Sequence, residues 1–242
     1  RELFDAIADA AQSQLGEFNS QDLANTAWAF ATMGIDAKEL FDAIAGAARS
    51  QLSGFNAQDL TITAWALACV GSTNSQLFAE LLAAGATTNF DERQQSQLYL
   101  VSLHCRLEFP NMSLPLLESQ REKLRGAYQR CEAAPSQLQR DVAAALDRVG
   151  WAHVFEHVTA EGISLDMAQP DEKRGVEVDG PSHYLKGREP VQVNGSTRFK
   201  SRLLRRLGWD VVHVPFFEWD ALGGVAESQD AYLRAKLSRG AT

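Results

Sequence analysis

Apolar residues in the first hundred positions recur with helical spacing, and the whole pattern repeats every 37 residues. Glu2-Leu-Phe-Asp-Ala-Ile-Ala8 returns as Glu39-Leu-Phe-Asp-Ala-Ile-Ala45. Phe18-Asn-Ser-Gln-Asp-Leu23 returns as Phe55-Asn-Ala-Gln-Asp-Leu60, and Thr26-Ala-Trp-Ala29 as Thr63-Ala-Trp-Ala66. A less regular third copy starts at Gln76-Leu-Phe78 and continues through Phe90-Asp-Glu-Arg-Gln94 to Gln97-Leu-Tyr-Leu100. Leu3, Ile7, Ala11 and Leu15 share one face of a predicted first helix. Asn19, Asn56 and Asp91 stand where N-caps of the second helices are wanted, and Gly34 and Gly71 supply their C-terminal stops. Each unit therefore predicts a helical hairpin that buries its apolar face only by stacking on a neighbour, which makes an α-helical repeat solenoid. Trp28, Trp65 and Tyr99 are expected to pack at the helix-pair interfaces rather than to stack on a base.

The period changes further along. Residues 101–135 carry Pro110, Pro115 and Pro135 and predict a helix around Leu116 to Cys131. A boundary near Pro135 gives two domains, 1–135 and 136–242. After Gly150, Trp151-Ala-His-Val-Phe-Glu-His-Val158 reads as a strand, as does Ile163-Ser-Leu-Asp-Met-Ala168. Val176 and Val178 belong to a third strand whose Glu177 and Asp179 share a face, and Gly180-Pro181 ends it in a turn. If the last two strands form a hairpin, Asp166 lies opposite Glu177, and His183 follows closely. A basic helix and a final strand within Trp209-Asp-Val-Val-His-Val-Pro-Phe-Phe-Glu-Trp219 complete an α/β domain.

Three carboxylates at a strand end suit Mg²⁺ or Mn²⁺ and metal-assisted hydrolysis of a phosphodiester, because hard cations take oxygen ligands and activate water. The same acids, near turns, also serve as caps, stay solvated, or pair with Arg174 or Lys200. Five cations, Arg198, Lys200, Arg202, Arg205 and Arg206, fall within nine residues of the basic helix. Their spacing puts most of them on one side, where a phosphate backbone running past the carboxylates would meet them. A solvated amphipathic helix burying Phe199, Leu203 and Leu207 has the same pattern.

Residues 136–220 resemble a RAP domain, the RNA-binding module of organellar RNA-processing proteins. The resemblance rests on Ser136-Gln-Leu-Gln-Arg-Asp-Val, Leu165-Asp-Met-Ala, Val176-Glu-Val-Asp-Gly-Pro-Ser-His-Tyr, Asn194-Gly-Ser-Thr-Arg-Phe-Lys, Leu204-Arg-Arg-Leu-Gly-Trp and Val214-Pro-Phe-Phe-Glu-Trp219. RAP domains in turn resemble the restriction-endonuclease-like superfamily, whose core runs helix, three strands, helix, strand. That resemblance implies metal binding by Asp166 and Glu177, with Asp179 standing where the superfamily carries a lysine. His183 or Lys200 would then supply the missing basic group. The repeats resemble heptatricopeptide and, more loosely, octotricopeptide repeats, which often precede a RAP domain. A solenoid of that kind reads RNA with a few polar side chains per repeat. Ser20, Gln21 and Asn25, then Ala57, Gln58 and Ile62, occupy the candidate positions, and Gln21 and Gln58 are polar in both copies.

Charge narrows these readings. Residues 1–139 carry 9 basic and 16 acidic side chains, and residues 140–242 carry 14 and 15. The repeats are therefore poor non-specific polyanion binders, and the phosphate contacts are expected from the second domain. Cys69, Cys105 and Cys131 form no Cys-x-x-Cys and are odd in number, which points to a reducing compartment without zinc or a disulfide frame. No run of 18 apolar residues exists, so neither a transmembrane helix nor a membrane partner is expected. Of five histidines only His183 sits with acids that could use it. The chain opens inside a repeat at Arg1, as a C-terminal portion of a longer protein would, and a mitochondrial or chloroplast location comes from the resemblance alone. The expected function is binding of single-stranded RNA in organellar RNA processing, stability or translation, alongside other RNA-processing proteins and with no cofactor required. A metal-dependent endoribonuclease and a protein-binding helical scaffold are the alternatives.

Overall fold

A computed structural model of the chain describes residues 2–85, 88–131, 134–187 and 191–239. The chain divides into two compact units, one of residues 1–131 with 193–199 and the other of residues 132–192 with 200–242. The first is helical. Its three copies of the hairpin are α1 (Glu2–Gln14) with α2 (Ser20–Thr32), α3 (Lys38–Ser50) with α4 (Ala57–Cys69), and α5 (Ser75–Gly85) with α6 (Glu92–Glu108). Helix α7 (Glu118–Arg130) follows where the junction helix was expected.

Local chemistry sets the ends of the second helices. The side chains of Asn19, Asn56 and Asp91 accept the backbone N–H of Asp22, Asp59 and Gln94 at 3.0, 2.9 and 2.8 Å, and those third residues reach back to the cap N–H, so each is a complete capping box. At the other end Gly34 and Gly71 adopt φ of 61° and 72°. The next residues, Ile35 and Ser72, donate to the carbonyls of Phe30 and Leu67 at 3.1 and 2.9 Å, the Schellman arrangement that favours glycine.

Packing differs between copies. In α3, Leu40, Ile44 and Ala48 are fully buried with Phe41, on the face the spacing predicts. In α1 the same face holds only partly, because Leu3 and Ile7 are 69% and 41% exposed while Ala8 and Ala11 are buried. Helix α3 has α1 on one side and α5 on the other, whereas among the described residues α1 has only α3 as a first-helix neighbour. Trp65 and Tyr99 are buried as expected, and Trp28, at 44% exposed, is not.

The second unit opens with α8 (Gln137–Arg148), capped by Ser136, and continues with β1 (Val154–Val158), β2 (Ser164–Gln169) and β3 (Arg174–Asp179). Helix α9 (Gly195–Arg206), whose first turns belong to the first unit, leads to β4 (Asp210–Pro215), and α10 (Phe216–Asp220) and α11 (Ala226–Arg239) close the chain. The sheet order is β1-β2-β3-β4. Strands β1, β2 and β3 pair antiparallel, and β4 lies parallel to β3 with Glu177 opposite His213 and Asp179 opposite Pro215. The expected order of helix, three strands, helix, strand is present. Val176, Val178, Met167 and Val214 pack with Val142, Leu146, Trp219 and Leu233 from α8, α10 and α11. Each such side chain contributes about 1.5–3 kcal/mol of burial. The three cysteines are free, with Cys69 and Cys105 buried. No described helix is long and apolar enough to cross a membrane.

Candidate functional site

Because valines 176 and 178 face the core, alternation turns Glu177 and Asp179 the other way, yet both are 4% or less exposed. A buried carboxylate must be partnered, and each finds its partners inside the unit. Lys200 Nζ of α9 donates to both oxygens of Glu177 at 3.0 and 2.8 Å. Asp179 meets two imidazoles, His213 Nδ1 at 2.8 Å from Oδ2 and His183 Nδ1 at 3.2 Å from Oδ1, and Tyr184 donates to Oδ2 at 3.4 Å. His213 Nε2 in turn lies 3.2 Å from Ser201 Oγ. Of the two cations expected near these acids, Lys200 takes the role. Arg174 instead donates to the Leu237 carbonyl at 2.9 Å.

Asp166 lies one residue beyond the last paired position of the β2–β3 ladder, Met167 opposite Val176. There its carboxylate stands in for a backbone acceptor. The Val178 N–H donates to Oδ2 at 2.6 Å, and Gln139 Nε2 from α8 donates to Oδ1 at 2.6 Å. Burial, with the nearby charge of Glu177, pushes the Asp166 carboxyl up to about 6 against these hydrogen bonds and Lys200. Burial also acts upward on Asp179, but the hydrogen bonds from His183 and His213 outweigh it and hold the carboxyl at about 2. His213, although burial works against its charge, is raised by its bond to Asp179.

This donor set does not fit a resident Mg²⁺ or Mn²⁺. Each oxygen of Asp166, Glu177 and Asp179 already faces an ammonium, an imidazole or an N–H, and a hard cation needs such oxygens facing it. Among the described residues no three His, Cys, Asp or Glu side chains are grouped to hold a metal. The cluster as built is an internally satisfied polar network beside the middle of α9, where Lys200 and Ser201 stand.

The basic stripe separates by position. Arg198 is exposed and donates from Nη1 to the Gly34 carbonyl at 2.6 Å within the first unit. Lys200 serves Glu177, Arg202 is half-buried, and Arg205 and Arg206 are exposed in the last turn of α9. His213, Ser201 and Gln139 belong to the network and escaped the sequence reading. The parallel pairing that puts His213 opposite Glu177 was the missing information, since the two are far apart in the chain.

In the first unit the second helices line a groove of about 370 Å³. Asn25 and Trp28 come from α2, Gln58, Thr61 and Ile62 from α4, and Arg93, Gln94 and Gln97 from α6 together with its cap Asp91. Counted from their caps, Gln58 and Arg93 hold the second helical position and Asn25, Ile62 and Gln97 the sixth, so equivalent positions of successive repeats converge. Gln21, also exposed at a second position, does not line the groove.

Residues 176–236 match the model of the RAP domain, a span that includes Glu177, Asp179, His183, α9 and His213. Residues 1–140 match the model of the RNA-editing substrate-binding complex 6 protein, which takes in all three repeats and α7. A RAP domain-containing chloroplastic protein of Oryza sativa subsp. japonica is 32% identical over 145 residues, 59% of this chain and 22% of the relative. The chain thus spans about a fifth of that protein's length. With a RAP domain at its C-terminal side and a match over more than half its length at the other, the chain is a RAP-domain protein of the RNA-editing substrate-binding complex 6 protein family.

Proposed function

We propose that this chain binds single-stranded RNA in organellar RNA processing, stability or translation. The observation that carries the proposal is the groove on the second helices, where Asn25, Gln58 and Gln97 bring side-chain amides to one surface. An amide offers both a donor and an acceptor, as the edge of an unpaired base does. The repeats then read bases in the manner of heptatricopeptide-like arrays, and exposed Arg205 and Arg206 of the RAP unit hold the backbone or an RNA end. The family match and the chloroplastic rice relative support an RNA role and an organellar setting, chloroplast or mitochondrion. Other RNA-processing proteins are the further partners.

Binding is favoured over cleavage by the partnered carboxylates, whose restriction-endonuclease-like arrangement serves as a scaffold in this reading. A gel-shift assay with a labelled single-stranded RNA pool, run in low salt with and without Mg²⁺ or Mn²⁺, tests it. Retention of intact RNA is the expected outcome. No retention would remove the RNA reading and leave a protein-binding scaffold, while metal-dependent cleavage lost in an Asp166→Ala/Glu177→Ala variant would make the chain an endoribonuclease.

A further inference from the structure

Trp28 and Trp65 occupy the same place in two copies of Thr-Ala-Trp-Ala, yet Trp65 is 7% exposed and Trp28 44%. Leaving much of an indole in water forgoes apolar burial. The Trp28 ring lines the groove rather than the helix-pair interface. Its neighbours there are one apolar side chain, Ile62, and a set of amides. The Asp91 carboxylate is already committed to its cap, accepting the Gln94 N–H at 2.8 Å, which leaves Arg93 as the one cation among the described lining residues.

We infer that Trp28 is the stacking platform of a subsite for one unpaired nucleobase, with Asn25, Gln58 and Gln97 facing the base edge and Arg93 the adjoining phosphate. This rests on the single-stranded RNA reading above and deepens it. A nucleobase asks for a flat apolar face with few polar groups around it, and a groove of about 370 Å³ lies within the usual range of roughly 300–1,000 Å³ for ligand sites. A protein segment would ask for a longer apolar strip than Trp28 and Ile62 provide. Stacking accepts any base, and duplex RNA, whose base faces are covered by their neighbours, is refused. With a single groove cation in a half of the chain that carries 9 basic and 16 acidic residues, the subsite contributes affinity that salt barely screens.

The test measures affinity of the whole chain for a labelled, unstructured oligoribonucleotide by fluorescence anisotropy, for the parent, Trp28→Ala and Trp28→Phe. Loss of a base–aromatic stack is worth roughly 5- to 150-fold, so Trp28→Ala is expected to weaken binding at least about 5-fold at every salt concentration, while Trp28→Phe stays within a few-fold of the parent. An oligonucleotide with the same backbone and abasic positions should bind both parent and Trp28→Ala equally weakly. Trp28 is 44% exposed, so Trp28→Ala also removes some packing; its melting curve shows that the variant is folded at the assay temperature, and Trp28→Phe, which keeps most of that packing and a ring, separates stacking from stability. If the parent binds RNA and Trp28→Ala binds it equally well, the stacking subsite is wrong while the RNA reading stands. If the parent does not bind RNA in low salt, both fall together.

Discussion

The two units treat their polar side chains in opposite ways. In the RAP unit, Asp166, Glu177 and Asp179 are turned inward and answered by Gln139, Lys200, His183, His213 and backbone N–H groups of the same unit. In the repeat unit, Asn25, Gln58 and Gln97 line an open groove beside an aromatic ring. A buried polar network that is satisfied internally rigidifies the fold and has little left to offer a ligand, whereas amides at a solvent-filled surface cost nothing to hold and are ready to exchange water for a base. On the reading proposed above, the buried charges of the RAP unit serve its fold, and the neutral polar groups around the partly exposed Trp28 are what a ligand meets.

Breaking the RAP network should have the largest effect. Lys200→Met leaves the Glu177 carboxylate buried without its cation, and the RAP unit should lose about 3 kcal/mol, read as a lower urea midpoint. Adding Glu177→Leu to it should restore most of the loss, because an apolar pair replaces an ion pair at little cost. An unchanged midpoint in the single variant would show that Lys200 is available to a ligand instead of serving the fold.

Asp166 gives a pH signature of slightly smaller size. Its carboxyl titrates at about 6 in the folded unit against an ordinary 3.8, so the folded form holds its proton more tightly. Stability therefore falls as pH rises from about 4 to about 6 and is level above that, by up to about 3 kcal/mol for such a shift. Asp166→Asn should remove this fall, so that the difference in stability between pH 4 and pH 7.5 that this carboxyl causes disappears. Asp179 acts in the opposite direction and lower down, losing its contribution as pH drops from about 4 towards 2. Melts at pH 4, 5, 6 and 7.5 separate the two.

Arg205→Glu/Arg206→Glu tests the outward-facing part of the RAP unit. Stability should stay within about 0.5 kcal/mol because both side chains are exposed, while the salt dependence of RNA affinity should become shallower by about one or two phosphate contacts. An unchanged slope would make the stripe a solvated helix face. The smallest contrast lies within the repeats, where Gln58→Ala should weaken RNA binding a few-fold and Gln21→Ala, outside the groove, should leave it unchanged.

Much of this was legible without coordinates. Three N-cap residues, two glycine stops and the 37-residue period announce the hairpins; the repeat shows in the chain itself, and the caps and stops act on residues within a few positions of them. Alternation placed Glu177 and Asp179 on one face for the same reason. Lys200 was foreseen as a partner of the acids, but Arg174 was equally eligible and goes elsewhere. His213 was not foreseen, because its meeting with Asp179 needs β4 to lie parallel to β3 after a helical crossover. Leu3 and Ile7 misled in the other direction, since helical spacing says which residues share a face and not whether a neighbour covers it.

By itself, then, the sequence determined the repeat helices, their caps, the order of helix, three strands, helix and strand, and which side chains share a face, all of which follow from short-range backbone geometry; it did not show that the last strand stops at Pro215 and gives way to α10 and α11. Tertiary structure alone decided that the three carboxylates are satisfied from within and that Trp28 stands in a groove while its twin Trp65 is buried. Burial and charge pairing depend on which distant residues arrive at the same place, and identical tetrapeptides carry no record of that.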